Sequence, residues 1–215
     1  MQLIGMLDSP YVRRVAISLQ LLGLPFEHRS VSVFRGFDEF SRINPVVKAP
    51  TLVCDDGGVL MDSTLIIDYA EALARDRDPA SRSLMPRAIA ERQRTLQLIG
   101  LALVACEKSV QIVYEHNTRP PERRHQPWLD RVGGQLRAAC GALEAELARR
   151  PLPVTSATMD QAGVSTAVVW HFIQRATPDA APAAGYPLLQ AYSSAAERLP
   201  EFAAAPHGEG VYRDR

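Results

Sequence analysis

The sequence has no net charge and is poor in lysine. Its 215 residues include 24 Lys and Arg against 24 Asp and Glu, and the two lysines are Lys48 and Lys108. A chain without a basic excess is a poor candidate for a nucleic-acid-binding protein, because such proteins neutralise phosphates with a basic surface. The 22 arginines are typical of a G+C-rich coding sequence or of a need for guanidinium groups.

Cysteine is also scarce, with Cys54, Cys106 and Cys140 as the three examples. An odd number without CxxC spacing argues against a disulfide framework. The five histidines are scattered, and no His/Cys cluster has the spacing of a zinc site. We therefore expect no metal.

Long apolar runs are missing too. No stretch approaches ~18 consecutive apolar residues, so no membrane span is expected. The N-terminus lacks the basic and apolar regions of a signal peptide. These features predict a cytoplasmic protein, and the 47% hydrophobic content excludes a disordered chain.

The hydrophobic pattern predicts two domains. Residues 1–75 read β-α-β-α-β-β-α, which predicts an α/β domain with a mixed sheet. Residues 76–86 are charged, contain two prolines and form the predicted linker. Residues 87–215 show helical periodicity, which predicts an all-α domain with a central buried helix over 162–173.

Three features at the ends of elements in the first domain bear on chemistry. Ser9 precedes Pro10 at a helix start, where unpaired N–H groups and the helix dipole favour an anion such as a thiolate. Pro50 stands at a strand start, where a cis peptide bond would free the Ala49 backbone to pair with an extended ligand. Each feature alone is also compatible with a purely structural role.

The third feature is Asp62-Ser63 at the next helix start. Its carboxylate, hydroxyl and free N–H groups could hold the ammonium and carboxylate of an amino acid, or serve only as a helix cap. One small anionic peptide could touch all three features.

In order along the chain, these segments resemble the cytosolic glutathione transferase family. The resemblance rests on SPYVRRV from Ser9, NPVVKAPTLV from Asn44 and DSTLIIDY from Asp62, and it extends to the helical half. It implies a bacterial, serine-type member with a thioredoxin-like N-terminal domain, an all-helical C-terminal domain and a homodimer. It also implies glutathione as co-substrate and a hydrophobic electrophile as partner, with no nucleic acid and no membrane.

The resemblance also implies roles for individual residues. Ser9 would stabilise the glutathione thiolate as the catalytic residue. The glutathione-binding positions would be Lys48 at the glycyl carboxylate, Ala49 and Pro50 at the cysteinyl unit, and Asp62 and Ser63 at the γ-glutamyl unit. The electrophile site would include four aromatic residues that are equally compatible with the core: Tyr11, Phe34, Tyr114 and Trp170.

The sequence departs from the family pattern in two segments. Before the predicted strand at Thr51, Val47 stands where glycine is usual and Ala49 where valine is usual. Before the buried helix, Asp160 stands as the helix cap but Gly163 replaces the reciprocal acid, while Thr158 with Gln161 is an alternative capping box.

The same scaffold would also suit a glutathione-dependent isomerase, a reductive dehalogenase, a disulfide reductase or a non-catalytic interaction protein. Serine rather than cysteine at position 9 disfavours thiol exchange. The identity of the electrophile cannot be inferred from the sequence.

Overall fold

The computed structural model describes residues 1–212, which form two compact units. The first comprises Met1–Leu84 together with residues 198–212, and the second comprises Met85–Glu197. The second unit thus begins at Met85, and the chain after Glu197 returns to the first unit.

A four-stranded mixed sheet and its helices form the first unit, as predicted. The elements are β1 (Gln2–Ile4), α1 (Pro10–Leu21), β2 (Glu27–Arg29), α2 (Phe37–Ile43), β3 (Thr51–Val53), β4 (Val59–Met61), α3 (Ser63–Arg77) and, after the second unit, α8 (Pro200–Ala204). The strand order is β2-β1-β3-β4. The crossover helix α1 makes β1 and β2 parallel, while β3 pairs antiparallel with both β1 and β4. The chain therefore has the α/β layer followed by helices that its sequence predicts.

Buried apolar residues of the sheet and of its helices form the core of the first unit. Ile4 packs with Val31 and with Phe40 of α2 in one buried cluster. On α1, the residues at helical spacing, Val12, Val15 and Leu19, are completely buried. Helix α3 extends to Arg77, into the predicted linker, because its pattern continues through the buried Ala74.

The segment after residue 197 is held against the first unit by α1 and β2. Arg13 of α1 donates to the Ala205 carbonyl at 2.7 Å. Tyr212 donates its N–H to His28 Nδ1 at 2.9 Å, and its ring stacks on Phe26 with the centroids 4.5 Å apart. These partners lie far apart in sequence, which is why the pattern of residues 198–212 alone gave no sign of the return.

The second unit is helical. Its helices are α4 (Ile89–Thr118), α5 (Gln126–Arg149), α6 (Gln161–Ala176) and α7 (Pro187–Ala196), with short 3-10 turns at Pro121–Arg123, Pro178–Ala180 and Ala183–Gly185. Residues 162–170 of α6 are all buried, so this helix is the buried one that the sequence predicts.

Helix α4 is long and apolar enough to cross a membrane on those two criteria alone, with a mean hydropathy of 1.5 over its most apolar stretch. The sequence of α4 contains no long uninterrupted apolar run, because Glu107 and Lys108 lie among its apolar residues. In the structure α4 packs against α5 and α6.

The start of α6 explains one departure from the family pattern. Asp160 is the N-cap and accepts a hydrogen bond from the Gly163 N–H at 2.8 Å, so the Thr158–Gln161 alternative is wrong. A Cβ at Gly163 would lie 2.5 Å from the Tyr192 hydroxyl, which donates to the Pro153 carbonyl. Tyr192 thus occupies the space that an acidic side chain at position 163 would need.

Candidate functional site

Three chain segments that flank the strands lie at the same end of the sheet. Ile4 at the end of β1 pairs with Thr51 at the start of β3, and Thr51 pairs with Met61 at the end of β4. The residues after β1, before β3 and after β4 therefore lie at one edge of the sheet. These residues include Ser9, the Lys48–Pro50 segment and the Asp62-Ser63 pair.

Ser9 is the N-cap of α1, with Pro10 at the first helical position. Its Oγ accepts from the Val12 N–H over a long 3.5 Å. Among the residues described, no acceptor takes the Ser9 hydroxyl hydrogen. The side chain is partly exposed, so it can donate to an anion placed at the positive end of the helix dipole.

Gly5 lets the end of β1 approach α1 and the Ala49 segment. Its φ is +133°, and a Cβ there would lie 2.7 Å from Val12 Cγ2 and 3.1 Å from Ala49 Cβ. No role for Gly5 was predicted from the sequence, although a glycine inside an apolar strand pattern signals a close backbone approach.

The loop before β3 is shaped by buried polar side chains. Asn44 donates to Thr51 Oγ1 at 2.9 Å and accepts from the Val46 N–H at 3.0 Å. Thr51 in turn donates to the Lys48 carbonyl at 2.6 Å. These bonds fix the Lys48–Pro50 segment from both sides, and neither Asn44 nor Thr51 was predicted to serve the site.

The Ala49–Pro50 peptide bond is cis. Pro50 is buried, Ala49 is partly exposed and Lys48 is exposed. In the described part of the chain, the Ala49 N–H and C=O have no hydrogen-bond partner. The backbone of Ala49 is thus available to an extended ligand.

Asp62 and Ser63 begin α3, with Asp62 as its N-cap. Asp62 Oδ1 accepts from the Thr64 N–H at 2.8 Å and from the Leu65 N–H at 3.4 Å. Within residues 1–212, Asp62 Oδ2 has no partner. Asp62 has a φ of +73°, a conformation that L-residues seldom adopt and that recurs at functional sites. The cap role is observed, and one carboxylate oxygen remains for a ligand.

The comparisons with known proteins agree with this geometry. Residues 3–78, which contain every segment described above, match the family model of the glutathione S-transferase N-terminal domain. A crystal structure of a glutathione transferase family member from Pseudomonas fluorescens Pf-5, with bound S-(propanoic acid)-glutathione, is 29% identical with a TM-score of 0.76. It covers 95% of this chain and 98% of that one. The first domain of the chain therefore belongs to the glutathione S-transferase N-terminal domain family.

Two further relatives align with most of this chain. A glutathione S-transferase from Methylobacterium radiotolerans, in complex with glutathione sulfonate, is 25% identical with a TM-score of 0.83 over 100% of this chain and 98% of its own. The GST-like protein YibF of Escherichia coli K12, whose function is uncharacterized, is 25% identical over 83% of this chain and 85% of its own.

The four aromatic residues predicted for an electrophile site differ in exposure. In the first unit, Tyr11 is partly exposed and Phe34 is 63% exposed. In the second unit, Tyr114 is 47% exposed, whereas Trp170 is 1% exposed and donates its indole N–H to Gln190. Trp170 is therefore a core residue of its own unit.

Two adjacent arginines of α1 are almost completely buried, and the sequence did not indicate their partners. The Arg13 Nε donates to the Ala205 carbonyl, and Arg14 Nη1 donates to Ser63 Oγ at 3.0 Å. Their partners lie 192 and 49 residues away, so no local pattern could have found them.

The cysteines of this protein are not part of the candidate site. None of the three forms a disulfide, and Cys106 and Cys140 are completely buried. Burial raises the pKa of the Cys140 thiol to about 12. Within residues 1–212, no group of three or more His, Cys, Asp or Glu side chains could hold a metal ion.

Proposed function

We propose that this protein is a glutathione transferase, which binds glutathione at the shared edge of its sheet and conjugates the thiolate to a small electrophile. The observation that carries the proposal is the placement of Ser9. It is a partly exposed serine at a helix N-terminus, on the same sheet edge as an available peptide backbone and a partly used carboxylate.

At the thiol, Ser9 supports ionisation. The thiolate is the nucleophile, and a free thiol titrates near ~8.5. Lowering the pKa of the thiol by about two units requires about 2.7 kcal/mol of preferential thiolate stabilisation. A hydrogen bond from the Ser9 hydroxyl to the anion, together with the dipole of α1, is of that size.

The remaining parts of glutathione match the remaining parts of the site. The extended cysteinyl backbone would pair with the Ala49 N–H and C=O beside Pro50. The Lys48 ammonium, which is exposed, would attract the glycyl carboxylate. Asp62 Oδ2 would accept from the γ-glutamyl ammonium, and Ser63 at the N-terminus of α3 would donate to the γ-glutamyl carboxylate.

For the electrophile, we propose Tyr11 and Phe34 of the first unit, because both side chains are exposed at least in part. Trp170 is omitted because it is buried. Serine at position 9 favours conjugation over thiol–disulfide exchange, since exchange on this scaffold would use a second thiol.

Affinity for immobilised glutathione, followed by conjugation to an activated aryl halide, tests this function. The wild-type protein should bind and turn over, and Ser9→Ala should bind but lose at least tenfold in kcat/KM. Ser41→Ala is a matched control, since the Ser41 hydroxyl bonds to the Asp38 carbonyl within α2. Binding without turnover of any electrophile would favour a non-catalytic role, and absence of binding would contradict the proposal.

We further infer that the protein is a cytoplasmic homodimer. Support for self-association comes from exposed apolar side chains: in the first unit, Leu65 is 63% exposed on α3, and in the second, Leu96 is 52% exposed on α4. Light scattering should give a mass twice that of the 23.6 kDa chain, and Leu65→Glu should lower it. A monomeric mass for the wild type would contradict the dimer.

A further inference from the structure

Arg14 connects the helix that carries Ser9 to the start of α3. Arg14 is buried, with 1% of the residue exposed. Nη1 donates to Ser63 Oγ at 3.0 Å and approaches Thr64 Oγ1 at 3.3 Å. The shorter contact falls on the serine that the proposed function places at the γ-glutamyl unit.

The chemistry of this pair fixes what Ser63 can offer to a ligand. A guanidinium has only donors, whereas a hydroxyl has one donor and two acceptor sites. Ser63 must therefore be the acceptor toward Arg14, and its own hydrogen points away from the guanidinium. The Ser63 side chain is then presented as a donor, which suits a group that only accepts, such as a carboxylate.

The positive charge of Arg14 also favours a carboxylate as the ligand of Ser63. Arginine stays protonated, and it lies beside the positive end of the α3 dipole. Both favour an anion next to Ser63. An ammonium group would meet repulsion from Arg14 and would find instead the Asp62 carboxylate, one residue earlier in the chain.

We propose that Arg14 is a positioning residue that holds Ser63 as a hydrogen-bond donor for the α-carboxylate of the γ-glutamyl unit. The inference rests on the proposed glutathione site and deepens it. Arg14 thereby gives the site its selectivity for ligands that carry this carboxylate, without touching the ligand itself.

Arg13 offers a matched control. It is the next residue on α1 and is also 1% exposed, but its guanidinium contacts the carbonyls of Ala205 and Phe202. Loss of Arg13 removes a buried arginine with similar consequences for stability, while the bond to Ser63 remains.

The test compares two peptides by isothermal titration calorimetry. One is glutathione, and the other is γ-aminobutyryl-cysteinyl-glycine, which lacks only the α-carboxylate. Arg14→Gln should raise the Kd of glutathione about tenfold and change the Kd of the second peptide less than about twofold. Arg13→Gln should change both values by the same factor.

Arg14→Lys keeps the buried positive charge if Arg14→Gln does not fold. Lysine lacks the planar guanidinium of arginine, so the Kd of the Arg14→Lys variant for glutathione should lie between those of the wild type and Ser63→Ala. Circular dichroism would establish that each variant is folded.

Equal weakening of both peptides by Arg14→Gln, or no change in either by Arg14→Lys, would overturn the inference. Wild-type protein that binds both peptides equally well would overturn it too, while leaving the glutathione site in place. Wild-type protein that binds neither peptide would overturn the proposed function itself, together with this inference.

Discussion

The imidazole of His28 lies 2.7 Å from the carbonyl oxygen of Gly5, the residue at which the chain leaves β1 toward Ser9. On the other side of the ring, Nδ1 accepts the Tyr212 N–H at 2.9 Å. These two partners require the neutral tautomer with hydrogen on Nε2. One buried histidine therefore joins the start of the candidate site to the returning C-terminal segment.

Protonation of His28 should weaken the fold. Burial lowers the pKa of His28, and the bond to Gly5 opposes this only in part. A histidine whose pKa is lower in the folded state takes up its proton more readily when unfolded, so stability is lost as the pH falls below ~6.5. From about pH 7.5 to about pH 5.5, the wild type should lose about 1 kcal/mol more than His28→Gln in urea unfolding. Parallel pH profiles would show that His28 does not contribute.

Gly5→Ala should destabilise the protein strongly, because the added Cβ would clash with Val12 and the backbone would be strained. We expect a loss of about 2 kcal/mol or more in the free energy of unfolding. Gly57→Ala is the control, since its φ is +85° but no atom lies within 4 Å of its added Cβ, and it should lose about 1 kcal/mol. Equal losses in urea unfolding would mean that the close approach at Gly5 has no energetic weight.

At position 47, substitution by glycine should destabilise the protein less than substitution by alanine, which is the reverse of the usual order. Val47 has a φ of +51°, which costs a β-branched residue about 1–2 kcal/mol, while its side chain packs against the cluster of Ile4, Val31 and Phe40. Alanine would lose the packing and keep the strain, whereas glycine would lose the packing and relieve the strain. Val47→Gly should therefore unfold at higher urea concentration than Val47→Ala. The opposite order would contradict this account of the loop.

Lys48→Ala should raise the KM for glutathione about twofold to fivefold with little change in kcat, because an exposed ion pair contributes about 0.2–1 kcal/mol. The difference should shrink as salt is added. Lys108→Ala, which removes the only other lysine and its bond to Glu107, should leave KM unchanged. If Lys48→Ala also leaves KM unchanged, the lysine has no role in binding.

Local patterns predicted the parts of this fold that depend on near neighbours. The helix starts at Ser9 and Asp62, the order of strands and helices, and the buried character of α6 all follow from residues a few positions apart. The turn at Asp55–Gly58 likewise predicted the hairpin of β3 and β4.

What the sequence could not predict depends on long-range packing. Arg14 meets Ser63 only because α1 and α3 pack together, and Arg13 meets Ala205 only because the chain returns after residue 197. The glycine at position 163 also has a long-range cause, because the Tyr192 hydroxyl occupies the space that a side chain there would need. The exposure of Tyr11 and Phe34 likewise depends on packing and was not predictable from the pattern.

The pKa of the thiol of glutathione bound to this protein tests the central claim most directly. It can be followed through the ultraviolet absorbance of the thiolate during a pH titration. We predict a pKa about two units below the ~8.5 of a free thiol in the wild type, and a return of at least one unit toward that value in Ser9→Ala. An identical thiol pKa in the two proteins would contradict the role of Ser9.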